Sequence, residues 1–398
     1  MKRVLTITPY PIGDISSLGI TMEKFFHDYD ENRIFQIYMK EINPKRKRLQ
    51  YEYQFDDAWY LHKNRKKTKI AELSESAFVH ARYGFVYRLK TSLKDRLPIM
   101  IPAELDNMLL SFRPDAVYVQ LYSIQMVRLA LKIQKKYQVS LAVHLLDDWI
   151  EAGKYHHISG YLYEKTAKRK TRNLMRKSER VFGASPFMCQ YIKREYGKDA
   201  GFVMPYTDFP LKCPDYHKNN GCLHLSYTGN IEGGRYRTIK RFVEAMDEAN
   251  VDFQLDIYTR QGRFLSDYHN EHLSVHDAVP QSEVSKILDD SDGLIHVESF
   301  DPDDMKWARY SLSTKIPEYL ASGRPVFYLG PKESGTGKFL NGGYAECAEK
   351  ERVLAARLKG FYEKDEEEIQ DIVNKRFIKA KELLSAENMG KLFSGWYI

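Results

Sequence analysis

The chain has 398 residues, 43% of them hydrophobic and 13% aromatic, with Lys+Arg 61 against Asp+Glu 54 and a formal net charge of +7. That length exceeds what one hydrophobic core usually supports, so two domains of roughly 150 to 200 residues are expected. The basic balance favours anionic partners without choosing among nucleotides, phosphates, nucleic acid and lipid surfaces. The four cysteines, Cys189, Cys213, Cys222 and Cys347, form no CxxC pair and no close metal-ligand spacing. A disulfide scaffold is thereby disfavoured against a reduced, cytoplasmic protein. The start "MKRVLTITPYPIGD" is broken by Pro9, Pro11 and Gly13 before it reads as a signal h-region, and no window holds 18 uninterrupted apolar residues.

Taken in chain order, short apolar runs at 4–8, 34–39, 116–121, 141–146 and 181–185 alternate with amphipathic stretches of helical period. The same alternation restarts at 223–230 and continues through 253–259, a short strand near 273, "GLIHVES" and "PVFYLG". Such alternation predicts parallel sheets built from βαβ units. Between the two series lies "MPYTDFPLKCPDYHKNNG", with three prolines and a polar tail, which reads as a linker. The expected organisation is a Rossmann-like domain at 1–205, a linker at 206–222, a second Rossmann-like domain at 223–360, and terminal helices at 361–398 that pack back on the first domain.

In open parallel sheets, ligands sit beyond the carboxyl ends of strands, where helix N-termini present free N–H groups. The loops in those places hold the candidate chemistry. After "LSYT" come Gly229, Asn230, Gly233 and Gly234, then Arg235 and Arg237, a flexible turn with two guanidinium groups suited to a diphosphate. An ordinary glycine turn with solvated arginines explains the same residues equally well. In "YSLSTKIPEYLASGRPVFYLG" (310–330), Ser313 or Thr314 is placed to cap a helix with Lys315 and Pro317 in its first turn. Glu318 then lies near the positive end of the helix dipole, where it either accepts bonds from paired sugar hydroxyls or only complements the dipole. In the first domain, "VHLLDDW" puts His144, Asp147 and Asp148 past a strand, and "YPIGDISSLG" puts Gly13, Asp14 and Gly19 past the first strand. A structural histidine is an equally good account of His144.

Two tempting patterns are set aside. The histidines of "HNEHLSVH" fit no common zinc spacing, and "GPKESGTGKF" lacks a Walker A glycine at Lys332 and its Ser or Thr at Phe339. Basic residues cluster at 44–48, 62–69 and 161–180, the last with eight Lys or Arg against two Glu. A solvated helix face accounts for them, and an anionic membrane surface is the sharper reading. Nucleic acid is disfavoured because no recognised binding motif accompanies the charge.

In order and spacing, these loops resemble retaining glycosyltransferases of the GT-B fold, in particular the family 4 type of polysaccharide assembly. "YSLSTKIPEYLASGRPVF" follows the family's "EGFGLPLLEAMACGTPVV" position for position, with Glu318 at the second glutamate of its E-x7-E pattern and Tyr310 at the first. The resemblance implies two Rossmann-like domains whose parallel sheets face a central cleft, and a nucleotide-sugar as donor substrate, with no cofactor and no metal. It implies a ribose contact for Glu318 and a donor-sugar contact at position 310, with Glu298 as a weak substitute for the missing glutamate. Arg237 stands at the family's phosphate lysine and Asn230 at its arginine, with Lys315 restoring positive charge; Gly229, Ser313, Thr314, Tyr258 and the Val279 turn fall on the donor side. "VHLLDD" is similar to the family's "t-H-D" strand end, which marks His144 and Asp147 as catalytic candidates beside Arg237 and Lys315. Gly13, Asp14, Gly19 and Asp148 fall on the acceptor side.

The activity so implied is sugar transfer, with retention, to a saccharide or lipid-linked saccharide at the cytoplasmic face of the cell membrane during surface-polysaccharide or capsule assembly. A GT-B nucleotide-sugar epimerase and an inactive sugar-nucleotide or membrane-surface binding protein are the competing readings, the latter because of Tyr310.

Overall fold

The computed structural model describes residues 1–27, 29–55, 99–152, 158–204, 216 and 221–384. Two wholly parallel sheets account for the strands. The first has seven, in the order β3-β2-β1-β4-β5-β6-β7: β1 (Val4–Thr8), β2 (Ile34–Tyr38), β3 (Tyr51–Gln54), β4 (Ala116–Gln120), β5 (Ser140–Leu145), β6 (Arg180–Gly183) and β7 (Gly201–Phe202). The second has six, in the order β10-β9-β8-β11-β12-β13: β8 (Leu223–Thr228), β9 (Phe253–Tyr258), β10 (Leu273–His276), β11 (Gly293–Val297), β12 (Val326–Leu329) and β13 (Glu346–Ala348).

Every residue of β1, β2, β4 and β11 is buried. Helices cover both faces of such strands, so their sequences are mostly apolar instead of strictly alternating. The short edge strands β3, β7 and β13 carry no such run and are half-exposed, which is why the apolar pattern did not announce them.

The first sheet's helices are α1 (Ser17–Phe26), α2 (Ala103–Phe112), α3 (Ile124–Tyr137), α4 (Trp149–Ala152), α5 (Ile158–Lys177) and α6 (Pro186–Tyr196). Those of the second half are α7 (Arg235–Glu248), α8 (Gln281–Asp289), α9 (Pro302–Ala308), α10 (Ile316–Ala321), α11 (Gly335–Leu340), α12 (Glu351–Tyr362) and α13 (Glu366–Leu384). Serine hydroxyls start several of them: Ser16, Ser123, Ser185 and Ser334 each accept from the backbone N–H three residues on. Helix α10 departs from expectation. It begins at Ile316 with Lys315 as its N-cap residue, and no side chain caps it.

The packing of α13 runs from the second sheet to the junction with the first half, since the cluster that holds Ala380 and Leu384 also includes Met204, with Phe187 and Phe202 packed against it. Ile369 and Val373 join the core of the second sheet, and Ala380 and Leu384 pack among Ile316, Tyr319 and Leu320. Most of the expected linker, Cys213 and residues 385–398 lie outside the described residues. Cys189, Cys222 and Cys347 are free thiols. No helix among the described residues is long and apolar enough to cross a membrane.

The strand order reverses between β1 and β4 in one sheet and between β8 and β11 in the other, the places where open α/β sheets leave a crevice. Side chains and main-chain groups from both halves meet there. Arg260 donates to the Ile15 carbonyl at 2.7 Å, Ser185 Oγ to the Tyr310 carbonyl at 2.5 Å, and Ser311 Oγ to Asp147 Oδ1.

Candidate functional site

A cluster of buried charges lies at the carboxyl ends of β8 and β11. Glu298, one residue past β11, is buried, and its Oε2 accepts from Arg235 Nε at 3.0 Å and Nη2 at 2.7 Å. Burial alone would raise this carboxyl, but the Arg235 guanidinium and the neighbouring His296 outweigh it and hold it at about 2. His296 is pushed down to about 4 by burial, against the opposing pull of Glu298. Arg235 is the first residue of α7, which follows two left-handed glycines, Gly233 and Gly234.

Lys315 reaches into the same cluster. Its Nζ donates to Tyr227 Oη at 2.8 Å and lies 4.2 Å from the centroid of that ring. Tyr227 Oη in turn donates to the Asn230 carbonyl at 2.6 Å. Burial, and next the positive charge of Arg235, pull the Lys315 ammonium down to about 7, with Glu298 and Glu318 opposing. Gly229 makes room for the lysine stem. A Cβ there would sit 2.2 Å from Lys315 Cε, and the backbone φ is +110°.

Glu318, in the first turn of α10, is also buried. Its Oε1 accepts two bonds, from Gln281 Nε2 and from Lys24 Nζ, each at 2.6 Å. Lys24 comes from α1 in the other half, 294 residues away in sequence. Nothing in the local pattern pairs these two, and the only hint of Lys24 is its place on the buried side of α1. Arg260, Tyr227 and His296 likewise went unnoticed by sequence reasoning.

The remaining expectations divide. Asp147 faces the second half: Ser311 donates to it, burial raises its carboxyl, and Arg235 acts against that rise. Its neighbour Asp148 caps α4 instead, accepting from the Glu151 N–H at 3.2 Å and from Tyr191 Oη at 3.3 Å. His144 is fully buried among the rings of Phe25, Tyr118 and Phe182, with Nδ1 2.6 Å from Tyr118 Oη. Burial pushes it down to about 3, so it is a neutral core residue at ordinary pH and not a group facing the cleft.

Asp14 spends its oxygens on the chain itself, accepting from the N–H groups of Ser16 (3.0 Å) and Ile42 (2.8 Å). Gly13 and Gly19 close the same turn, with Gly19 packed against Asp14.

Arg237, the expected phosphate ligand, is exposed and lies over the Tyr236 ring, donating to its hydroxyl at 3.0 Å. It stands outside the cluster because helical geometry turns it about 200° from Arg235. Asn230 is exposed as well, its side chain bonded to Glu232. The Ser313 N–H is taken by Thr336 Oγ1 at 3.0 Å, and Thr314 is half-buried beside it. Tyr258, ending β9, stacks on His276 with centroids 4.7 Å apart, and Val279 packs into the core near α8 and α10.

Tyr310 lies away from the charge cluster. The resemblance puts a donor-sugar contact there, but the ring enters the core of the first half, 7% exposed and stacked on Tyr191. Its hydroxyl accepts from Arg194 Nη2 at 3.1 Å. A large apolar ring gains more from this cover than from a wet cleft. Gly335 of "GPKESGTGKF" packs against the same segment: a Cβ on it would lie 2.2 Å from the Ser311 carbonyl oxygen.

The basic segment at 44–48 is not a free positive patch. Arg46 is buried and ion-paired to Glu41 and Glu52, Arg48 to the same two carboxylates, and Lys47 to Glu31. Helix α5 does leave Lys165, Arg169, Arg172 and Arg176 exposed, whereas 62–69 lies outside the described residues. No group of three His, Cys, Asp or Glu among the described residues is arranged to hold a metal ion.

No protein-family model matches the chain. No curated protein is significantly similar to it in sequence. Solved structures are similar in fold. The Anabaena protein HepE, solved in complex with UDP, superposes with a TM-score of 0.65 at 11% identity, covering 99% of both chains. The α,α-trehalose 6-phosphate synthase of Burkholderia multivorans gives 0.59 at 11% identity over 99% of this chain and 98% of its own. The kitacinnamycin glycosyltransferase gives 0.54 at 12% identity over the same shares. With its two parallel sheets and reversal points meeting at one cleft, the chain has the α/β fold of the GT-B type.

Proposed function

We propose that the protein is a glycosyltransferase that takes a sugar from a nucleotide-sugar donor and delivers it to a saccharide or lipid-linked saccharide. The observation that carries this reading is the convergence of Lys315 and Arg235 at the reversal point of the second sheet, with Glu318 one helical turn from Lys315. A diphosphate in that crevice meets two cations, and Glu318 lies where ribose hydroxyls would find an acceptor. During transfer, the bond from the anomeric carbon to the diphosphate oxygen breaks and the diphosphate leaves with the electron pair. An acceptor hydroxyl oxygen, entering from the first half, forms the new bond on the face that the diphosphate leaves, and its proton passes to the departing diphosphate oxygen. Lys315 and Arg235 stabilise the charge that grows on the leaving group, the kind of stabilisation that usually dominates such reactions. Asp147, a first-half carboxylate that feels the charge of Arg235, is the group that orients the reacting sugar in this reading.

The proposal extends to retention without a protein nucleophile, independence of metal, and work at the cytoplasmic membrane face in surface-polysaccharide assembly. The exposed basic face of α5 suits anionic lipid there, each residue near the surface adding about 1 kcal/mol. Incubation with UDP-, GDP- and dTDP-sugars, with and without a lipid-linked saccharide, tests the activity. Acceptor-dependent nucleotide release is expected. Isomerised donor without acceptor would make the protein an epimerase, and binding without turnover would make it an inactive binding module.

A further inference from the structure

The ion pair between Lys24 and Glu318 joins the two halves where the donor reading places the ribose. Both side chains are almost wholly shielded, 8% and 10% exposed, and Nζ lies 2.6 Å from Oε1. That oxygen already accepts from Gln281. A ribose hydroxyl approaching it meets an acceptor whose bonds are taken and whose charge is balanced. Lys24 lies in the last turn of α1, a helix fixed to the first sheet by Met22, Phe25 and Phe26. Glu318 and Gln281 belong to α10 and α8 of the second half. Lys24 therefore withdraws from Glu318 only if its side chain swings away or the halves separate.

From this geometry we infer that Lys24 is an internal competitor of the donor: the ion pair ties the two halves together across the cleft, and a nucleotide gains Oε1 of Glu318 only by breaking it. The inference rests on the donor reading of Glu318 given above. The latch couples closure to ligand exchange. A buried pair contributes little net stability because desolvation offsets its attraction, so a ligand offering equivalent bonds to Glu318 can replace it. Part of the nucleotide's binding free energy is then used in displacing Lys24, and apparent affinity falls by the fraction of molecules that are unlatched.

The test compares the full-length protein with Lys24→Met, which keeps the apolar stem and removes the ammonium. UDP, GDP, dTDP and ADP are titrated calorimetrically, and X-ray scattering reports the separation of the halves. Thermal unfolding confirms that the variant is folded, and Lys24→Gln serves if the methionine variant is not. The expected result is nucleotide affinity raised about tenfold, with a larger radius of gyration in the absence of nucleotide. Unchanged or weaker affinity, with the wild type binding measurably, overturns the latch and leaves the donor site standing. Absence of binding by both proteins overturns the donor reading and the latch together.

Discussion

Tyr310 and Tyr191 stack with ring centroids 4.6 Å apart and planes 25° from parallel, joining the segment before α10 to helix α6 of the other half. The contact is reinforced by the Arg194 bond to the Tyr310 hydroxyl and the Ser185 bond to its carbonyl. Position 310 thus works as a joint between the halves.

Removing that joint should cost stability. Tyr310→Ala is expected to destabilise the protein by about 3 kcal/mol, the order seen when a large buried ring is truncated. Tyr310→Phe keeps the stacked ring and loses one hydrogen bond, so about 1 kcal/mol is expected. Chemical denaturation measures both. Equal losses from the two variants would show that the hydroxyl, and not the ring, holds the joint.

The Lys315 ammonium, held near 7 by burial and Arg235, gives nucleotide binding a pH dependence. The anionic diphosphate favours the charged form, so affinity should fall as pH rises through 7, by about tenfold between pH 7 and 8.5. The sign for stability follows from the same shift. The unfolded lysine titrates near 10.4, so between the two values the unfolded chain binds the extra proton and this site costs less stability as pH rises. Calorimetric titration of UDP at several pH values, beside Lys315→Met, checks the binding trend. A methionine variant with the same pH profile as the wild type would assign the dependence to another group.

Arg235 and Arg237 separate a buried role from an exposed one. Arg235→Ala leaves Glu298 buried without its partner, and a loss of about 3 kcal/mol is expected, with transferase turnover reduced at least a hundredfold. Arg237→Ala should change stability by less than about 0.5 kcal/mol and leave turnover near that of the wild type. A hundredfold fall in turnover from the Arg237 variant would return that residue to the phosphate site.

Much of the fold was legible because its signal is local. Apolar runs long enough to be buried on both faces marked the central strands of both sheets to within one or two residues. The edge strands β3, β7 and β13 were not legible, since half-exposed strands of two to four residues lack a pattern. Lys315 was legible because a lysine beside a short helix after a strand is a local feature. His144 looked the same by that rule, yet its ring faces α1 and the sheet interior, a direction that alternation along β5 does not reveal without knowing which helix covers which face.

By itself, then, the sequence determined two parallel α/β units and the loops that lie beyond their strands, because periodicity and strand-end position are properties of neighbouring residues. Only the tertiary structure decided which groups in those loops meet. The Lys24–Glu318, Ser311–Asp147 and Tyr310–Tyr191 contacts span sequence separations of more than a hundred residues. Each depends on how two independently readable sheets come together, and burial at that junction moved position 310 from the expected sugar contact into the joint between the halves.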